Sequence, residues 1–265
     1  MNLNQISGPV ICVSIVTLFV AFFVNYNNIY AEVHVQKTDG KGFAVLELFT
    51  SEGCSSCPPA DELIAKIENE SKGKAIYILA FHVDYWNRLG WKDAFSDADY
   101  SKRQVQYGRW LNQPQIYTPQ VIVNGDAEFV GSDETAIRKA IAEQLAVKTA
   151  STLTLQAHQD NDVLNVNYQT VKSKKKLCLL IAVVQKAAQS KVERGENAGR
   201  TLAHVQIVRK LQNAPIAQIG KGTISIALPK GFNNQTWEVL GLVQDENDGE
   251  ILAAAQAALE KGDNK

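Results

Sequence analysis

Residues 44–67 read AVLELFTSEGCSSCPPADELIAKI. The opening part, FAVLELFT with Phe43 included, is a short apolar run that fits a strand buried on both faces. The continuation DELIAKIENE, residues 61–70, sets Leu63, Ile64 and Ile67 at helical spacing, with Gly73 beyond its end. Cys54 and Cys57 lie between the two, followed by Pro58 and Pro59. Such a pair suits a redox couple, half of a metal site, or a disulfide that only staples a loop. Its seat favours the first. Near a helix N-terminus the unpaired amides and the positive end of the dipole stabilise a thiolate, and the thiolate is the attacking species in disulfide exchange. Cys54 is the expected nucleophile and Cys57, one turn later, the resolving thiol. Ser55 and Ser56 bring hydroxyls but no cation, and two prolines are compatible with a first helical turn.

Working outward, AIYILAFHV (75–83) reads as a second buried strand, and 96–111 as a helix capped by Ser96. In QVIVNGDAEFVG (120–131) the Asn124-Gly125 pair signals a tight hairpin. A last helix starts at Ser132 and carries Ile137, Ile141 and Leu145 along one face. This is the thioredoxin-like order, with an inserted helical region before the hairpin. After residue 150 the texture changes to TLTLQA, VLNVNYQT, KLCLLIAVVQ, AHVQIVRKL, TISIAL and TWEVLGLVQ, divided by turn-rich pieces such as HQDND, GENAG and ENDGE. The expected fold is therefore an α/β thioredoxin-like domain with a mixed sheet over residues 32–149, then an antiparallel β-sandwich-like domain over 150–265.

Residues 1–31 belong to a different regime. Val10 to Val24 carries no charge, is short for a membrane span, and precedes Ile29-Tyr30-Ala31, a passable signal-peptidase site. A secretory signal is expected, with Cys12 inside it, and hence periplasmic or secreted localisation without stable membrane insertion after cleavage. In such a compartment disulfides persist. Cys54 and Cys57 are then the natural pair, and Cys178 in LCLLIAVV reads as a buried inert thiol. A formal net charge of -1 and a pI near 6.4 give no reason to expect nucleic acid as a partner. The short run Lys174-Lys175-Lys176 reads as a solvated turn.

Three further elements bear on the dithiol. Thr118-Pro119 precedes the strand QVIVNG, at the place where thioredoxin-like proteins carry a cis-proline against the dithiol, with the preceding residue's backbone open to a bound peptide; proline is the residue at which cis is cheap, and a trans turn proline is the alternative. Glu47 sits mid-strand between Leu46 and Leu48, where burial would raise its pKa and make it a proton acceptor for Cys57. Tyr85, Trp86 and Trp91 follow the second strand and would either rim a peptide site, with Asp84 and Arg88 orienting the substrate, or pack the inserted helix. His82 is either a hydrogen-bonded strand residue or a partner of Cys54. Arg194, Asn197, Arg200 and His204 form a polar group suited to packing between the two halves rather than to catalysis.

Four separated stretches, ELFTSEGCSSCPPAD, FHVDYWNRLGWKD, YTPQVIVNG and RGENAGRTLAHVQIVR, together resemble an exported thioredoxin-like family of unknown function. The resemblance implies a thioredoxin-like domain, a β-rich C-terminal domain and thiol-disulfide activity, with Cys54 as nucleophile, Cys57 as resolving cysteine, Pro119 as cis-proline and Glu47 as buried acid. Gly53 departs from the aromatic residue often found before the first cysteine.

The leading expectation is an exported thiol-disulfide oxidoreductase with no cofactor, acting on protein or peptide thiols and disulfides. A Cu(I)-handling module with His82 as third ligand is one alternative, although the chain's single Met is the initiator. A non-enzymatic exported binding protein with a structural CSSC disulfide is the other.

Overall fold

The structure, a computed structural model, describes residues 42–171, 175–217 and 220–260. The signal segment, Cys12 and Lys174 lie outside the described residues. Among the described residues no helix is long and apolar enough to cross a membrane.

Strand β1 (Ala44–Thr50) is buried along its whole length, as its apolar run requires. It pairs in parallel with β2 (Ile76–His82) on one side and antiparallel with β3 (Gln120–Val123) on the other. The hairpin from β3 to β4 (Ala127–Val130) turns through Asn124, Gly125 and Asp126, with left-handed φ of 47° and 77° at the first two and the Asp126 amide bonded to the Val123 carbonyl at 3.2 Å. Helices α1 (Pro58–Glu70) and α3 (Glu134–Ala146) cover one face of these strands through Leu63, Ile64, Ile67, Ile137 and Ile141. Helix α2 (Ala98–Trp110) covers the other with Tyr100 and Tyr107.

The helix starts differ from the sequence reading. Helix α1 begins at Pro58 with Cys57 at the cap position. Helix α2 is capped by Asp97, whose carboxylate accepts from the Asp99 amide, because Ser96 turns its hydroxyl back to the Asp93 carbonyl. Helix α3 is capped by Asp133, which accepts from the Ala136 amide. Carboxylates at all these starts also suit the dipole.

The remaining strands do not form a detached sandwich. β7 (Leu177–Lys191), β8 (Thr201–Pro215), β10 (Trp237–Asp245) and β11 (Ile251–Gln256) extend the first sheet, whose order is β11-β10-β7-β8-β2-β1-β3-β4. A second sheet of four strands holds β5 (Leu153–Asp160), β6 (Val163–Thr170), β9 (Lys221–Ala227) and β12 (Ala258–Glu260), and packs on β7, β10 and β11. The stretch ILAAAQAALE gave no strand signal in sequence, since alanine is poor in intrinsic strand preference. Pairing with β10 and β5 places it in the sheets.

At the seam between β2 and β8 the ladder has one register pair, Ala80↔Ile207. Backbone hydrogen bonds, worth about 1 kcal/mol each, therefore hold it only weakly. A shared core does more. Phe49, Phe81 and Tyr107 from the first part pack in one cluster with Leu180, Val184, Val208, Leu240 and Leu242 from the second. Burial of each such side chain is worth roughly 1.5–3 kcal/mol, so packing decides the join. Cys178 lies in this cluster as expected, its thiol pushed up to about 11 by burial.

Candidate functional site

The CSSC turn leaves β1 and enters α1, so strand and helix together hold both cysteines. Cys54 and Cys57 form a disulfide with Cα atoms 5.4 Å apart. Each cysteine is 0% exposed, whereas Ser55 and Ser56 between them are exposed. The turn closes through amides of Cys54 to the Ser51 carbonyl at 3.1 Å and of Cys57 to the Cys54 carbonyl at 3.2 Å. The Thr118-Pro119 bond is cis. Pro119 lies beside the first turn of α1: a Cβ added at Gly131 would stand 2.8 Å from that of Pro119 and 3.0 Å from that of Ala60. Ser56 Oγ reaches the Thr118 carbonyl at 3.5 Å, which joins the dithiol turn to the proline loop.

Trp86 and Trp91 both reach this neighbourhood. Trp86 donates its indole N–H to Thr118 Oγ1 at 2.8 Å, and its Cβ faces Gly53 at 3.1 Å from where a side chain there would begin. The small residue before Cys54 thus makes room for a tryptophan arriving from another loop. Trp91 donates to Glu52 Oε2 at 2.6 Å. Tyr85 donates its hydroxyl to Gln104 of α2 at 3.2 Å and keeps that hydroxyl beside Thr118 and Trp86, and Asp84 is held by Ser101 of the same helix. Arg88 is exposed in the short 3-10 turn Asn87–Leu89.

Glu47 is not where the sequence reading put it. Along β1 the even residues Ala44, Leu46 and Leu48 face α1, and the odd ones face α2. Glu47 therefore points away from the cysteine-bearing helix. Its carboxylate is bound by Arg103 Nε at 2.5 Å and Nη2 at 2.7 Å, and by the Tyr107 hydroxyl at 2.5 Å. Burial works against the Arg103 charge, but the Glu47 carboxylate outweighs it and raises the guanidinium pKa further. This is a structural ion pair, and Glu47 is withdrawn as a proton acceptor for Cys57.

A different set of ionisable groups lies on the cysteine side. Glu52, Asp61, His82, Asp93 and His204 are all buried. Asp61 stands four residues after Cys57 on α1 and accepts from Thr50 Oγ1 at 3.3 Å. His204 of β8 sits between two carboxylates, Nδ1 3.7 Å from Asp61 and Nε2 3.8 Å from Glu52. Its ring meets that of His82 edge-on at 4.7 Å. His82 Nδ1 is 2.7 Å from Asp93 Oδ2, so the hydrogen-bonded reading of this histidine holds. Burial opposes charge on the imidazole, but the Asp93 carboxylate beside it prevails and lifts its pKa above the ordinary value. Asp93 is lowered in return by His82, against its own burial. Asp93 also accepts from the Glu52 amide at 2.9 Å, tying the group to the residues just before Cys54.

The loop between β7 and β8 crosses to the same place. Asn197 Nδ2 donates to the carbonyls of Glu52 and Cys54, each at 2.9 Å. Glu196 accepts from the Ser55 amide at 3.1 Å and the Ser55 hydroxyl at 2.6 Å, bonds that lower its pKa. Of the group read as Arg194, Asn197, Arg200 and His204, Asn197 and His204 bridge the two halves of the chain, and Arg200 supports Asn197 through its Oδ1 at 3.0 Å. The role of Glu196 was missed, since GENAG carries only the signal of a turn.

Chemically, the site presents a disulfide beside a cis-proline and two indoles, backed by buried carboxylates and imidazoles. A thioredoxin from Methanocaldococcus jannaschii is 28% identical to this chain over 101 residues, which is 38% of this chain and 94% of that thioredoxin. The crystal structure of a protein from Agrobacterium tumefaciens matches with a TM-score of 0.62 over 84% of this chain and 96% of its own, at 24% identity, and so shares the fold. Over residues 45–244, from β1 to β10, the chain matches, and belongs to, the family described as Protein of unknown function (DUF1223).

Proposed function

We propose that the protein is an exported thiol-disulfide oxidoreductase acting on protein or peptide thiols and disulfides. The observation that supports this most is the Cys54–Cys57 disulfide at a strand-to-helix junction beside cis Thr118-Pro119. The likeness to a thioredoxin over 101 residues points the same way. Export rests on the apolar, uncharged stretch Val10 to Val24 and the cleavage-site pattern after it.

In the reducing direction the Cys54 thiolate attacks one sulfur of a partner disulfide, and the other leaves as a thiolate that takes up a proton. Cys57, deprotonated, then attacks Cys54 Sγ in the mixed disulfide. The second partner thiol departs and the Cys54–Cys57 bond re-forms, so two electrons pass to the partner. The oxidising direction is the reverse, and the reduction potentials of the two couples set which one runs. Thr118, with its carbonyl close to the turn, and Trp86, bonded to its hydroxyl, are the groups in this reading that would meet a peptide. Trp91 acts through Glu52. Reduction of insulin disulfides by wild type and Cys54→Ser tests the proposal: the variant is expected to lose the activity. Wild-type turnover in the variant would end the oxidoreductase reading.

The complete burial of both cysteines favours a second reading, a permanent structural disulfide. It predicts a potential below about -300 mV, and a value well above that speaks for exchange.

A further inference from the structure

The loop between β7 and β8 is tied at the CSSC turn itself. Four hydrogen bonds from Glu196 and Asn197 end on Ser55, Glu52 and Cys54. Two of the acceptors are backbone carbonyls at and just before the cysteine proposed to react. Asn197 is 1% exposed while Glu196 and its other neighbours from Glu193 to Arg200 are exposed, so the loop stands in solvent and is pinned at one buried amide side chain. Its base is closed by the Val192 amide to the Arg200 carbonyl at 2.9 Å and the Gly199 amide to the Val192 carbonyl at 2.8 Å. Gly195 and Gly199, both at a φ of 82°, flank Glu196 to Ala198 in a backbone region that favours glycine. The segment is thus a short unit closed at its own base, beyond the paired ends of β7 and β8.

We infer that the loop 193–200 is a gate over the Cys54–Cys57 disulfide, held shut by Glu196 and Asn197, and that it controls which thiols reach Cys54. This deepens the oxidoreductase reading and takes its meaning from it. With the gate seated, a thiolate cannot line up with the S–S axis, because neither cysteine has surface. Lifting the loop breaks only bonds to groups that water then satisfies: the Ser55 amide and hydroxyl, two carbonyls and an exposed carboxylate. Opening is therefore a local event, with the shared core intact. A partner peptide able to bond the Ser55 amide and the Cys54 carbonyl would replace the gate contacts one for one.

The gate is testable with dithiothreitol alone, independently of any physiological substrate. The rate of reduction of the Cys54–Cys57 disulfide in the full protein is measured for wild type, Glu196→Ala and Asn197→Ala. Amide exchange at Leu79, in the core strand β2, is followed in the same samples. Loss of two hydrogen bonds in either variant is expected to raise the reduction rate roughly tenfold, with Leu79 exchange unchanged. Equal rates in all three proteins would overturn the gate. So would acceleration accompanied by faster Leu79 exchange, which marks general loosening. Failure of insulin reduction in wild type with acceleration in both variants would sink the oxidoreductase reading and leave gated access standing.

Discussion

At the scale of single residues, Glu47 shows how a sound principle meets the wrong face. A carboxyl between two leucines is costly to bury, and its burial was correctly read. In a strand, however, each position is committed to one side, and the odd set of β1 faces α2. Parity relative to the helix that bears the cysteines is not visible in AVLELFT alone. Compensation came instead from Arg103, 56 residues away, with a bidentate geometry that a guanidinium suits. Removing one member of a buried pair strands the other, at a cost of about 3–5 kcal/mol. Arg103→Ala is therefore expected to lose that much stability in urea unfolding, while the reduction rate of the Cys54–Cys57 disulfide stays at the wild-type value. A slowed or quickened disulfide reaction would return Glu47 to the site. Pro119, by contrast, was legible, because only proline takes the cis form cheaply and its position before β3 is a local feature.

Among elements, the contact between the end of β2 and the segment before α2 depends on His82 and Asp93. Helix and strand order could be read from periodicity, and the aromatic stretch FHVDYWNRLGWKD was placed beside the dithiol. Which of its side chains turned inward could not be, since that depends on Glu52 and Gly53 in one other loop and Thr118 in a second. The His82–Asp93 pair makes stability depend on pH in a defined sense. His82 has a folded pKa above its unfolded value, so its contribution is complete below about pH 6.5 and is lost as pH rises through the folded pKa. Asp93 is depressed, so its contribution is complete above about pH 4 and is lost on acidification. Urea midpoints are expected to fall as pH rises from 6.5, and His82→Gln to flatten this alkaline limb. An unchanged slope in the variant would show that the dependence does not come from His82.

For the whole molecule, the two textures of the sequence mark two kinds of supersecondary structure that share a sheet and a core. The antiparallel strands were read well from their alternation. Their attachment to β2 through Ala80 and Ile207 was not, because pairings between distant segments leave no local pattern. One core with contributions from both halves predicts one cooperative unfolding transition in calorimetry, with equal calorimetric and van't Hoff enthalpies. A fragment ending at residue 149 is expected to expose the apolar face that β7 and β10 cover, and to bind a hydrophobic dye. Two separate transitions, or a fragment that folds without dye binding, would restore two independent domains.

The span between the CSSC turn and its cover also has a consequence in time. Ser55 precedes Glu196 by 141 residues. At roughly 5–20 residues per second, synthesis of the intervening chain takes on the order of 7–30 s. During that interval the cysteines have been made but the residues that will enclose them have not. The nascent pair is thus open to any oxidant it meets before the last third of the chain arrives, and the redox state it acquires then is the one that folding encloses.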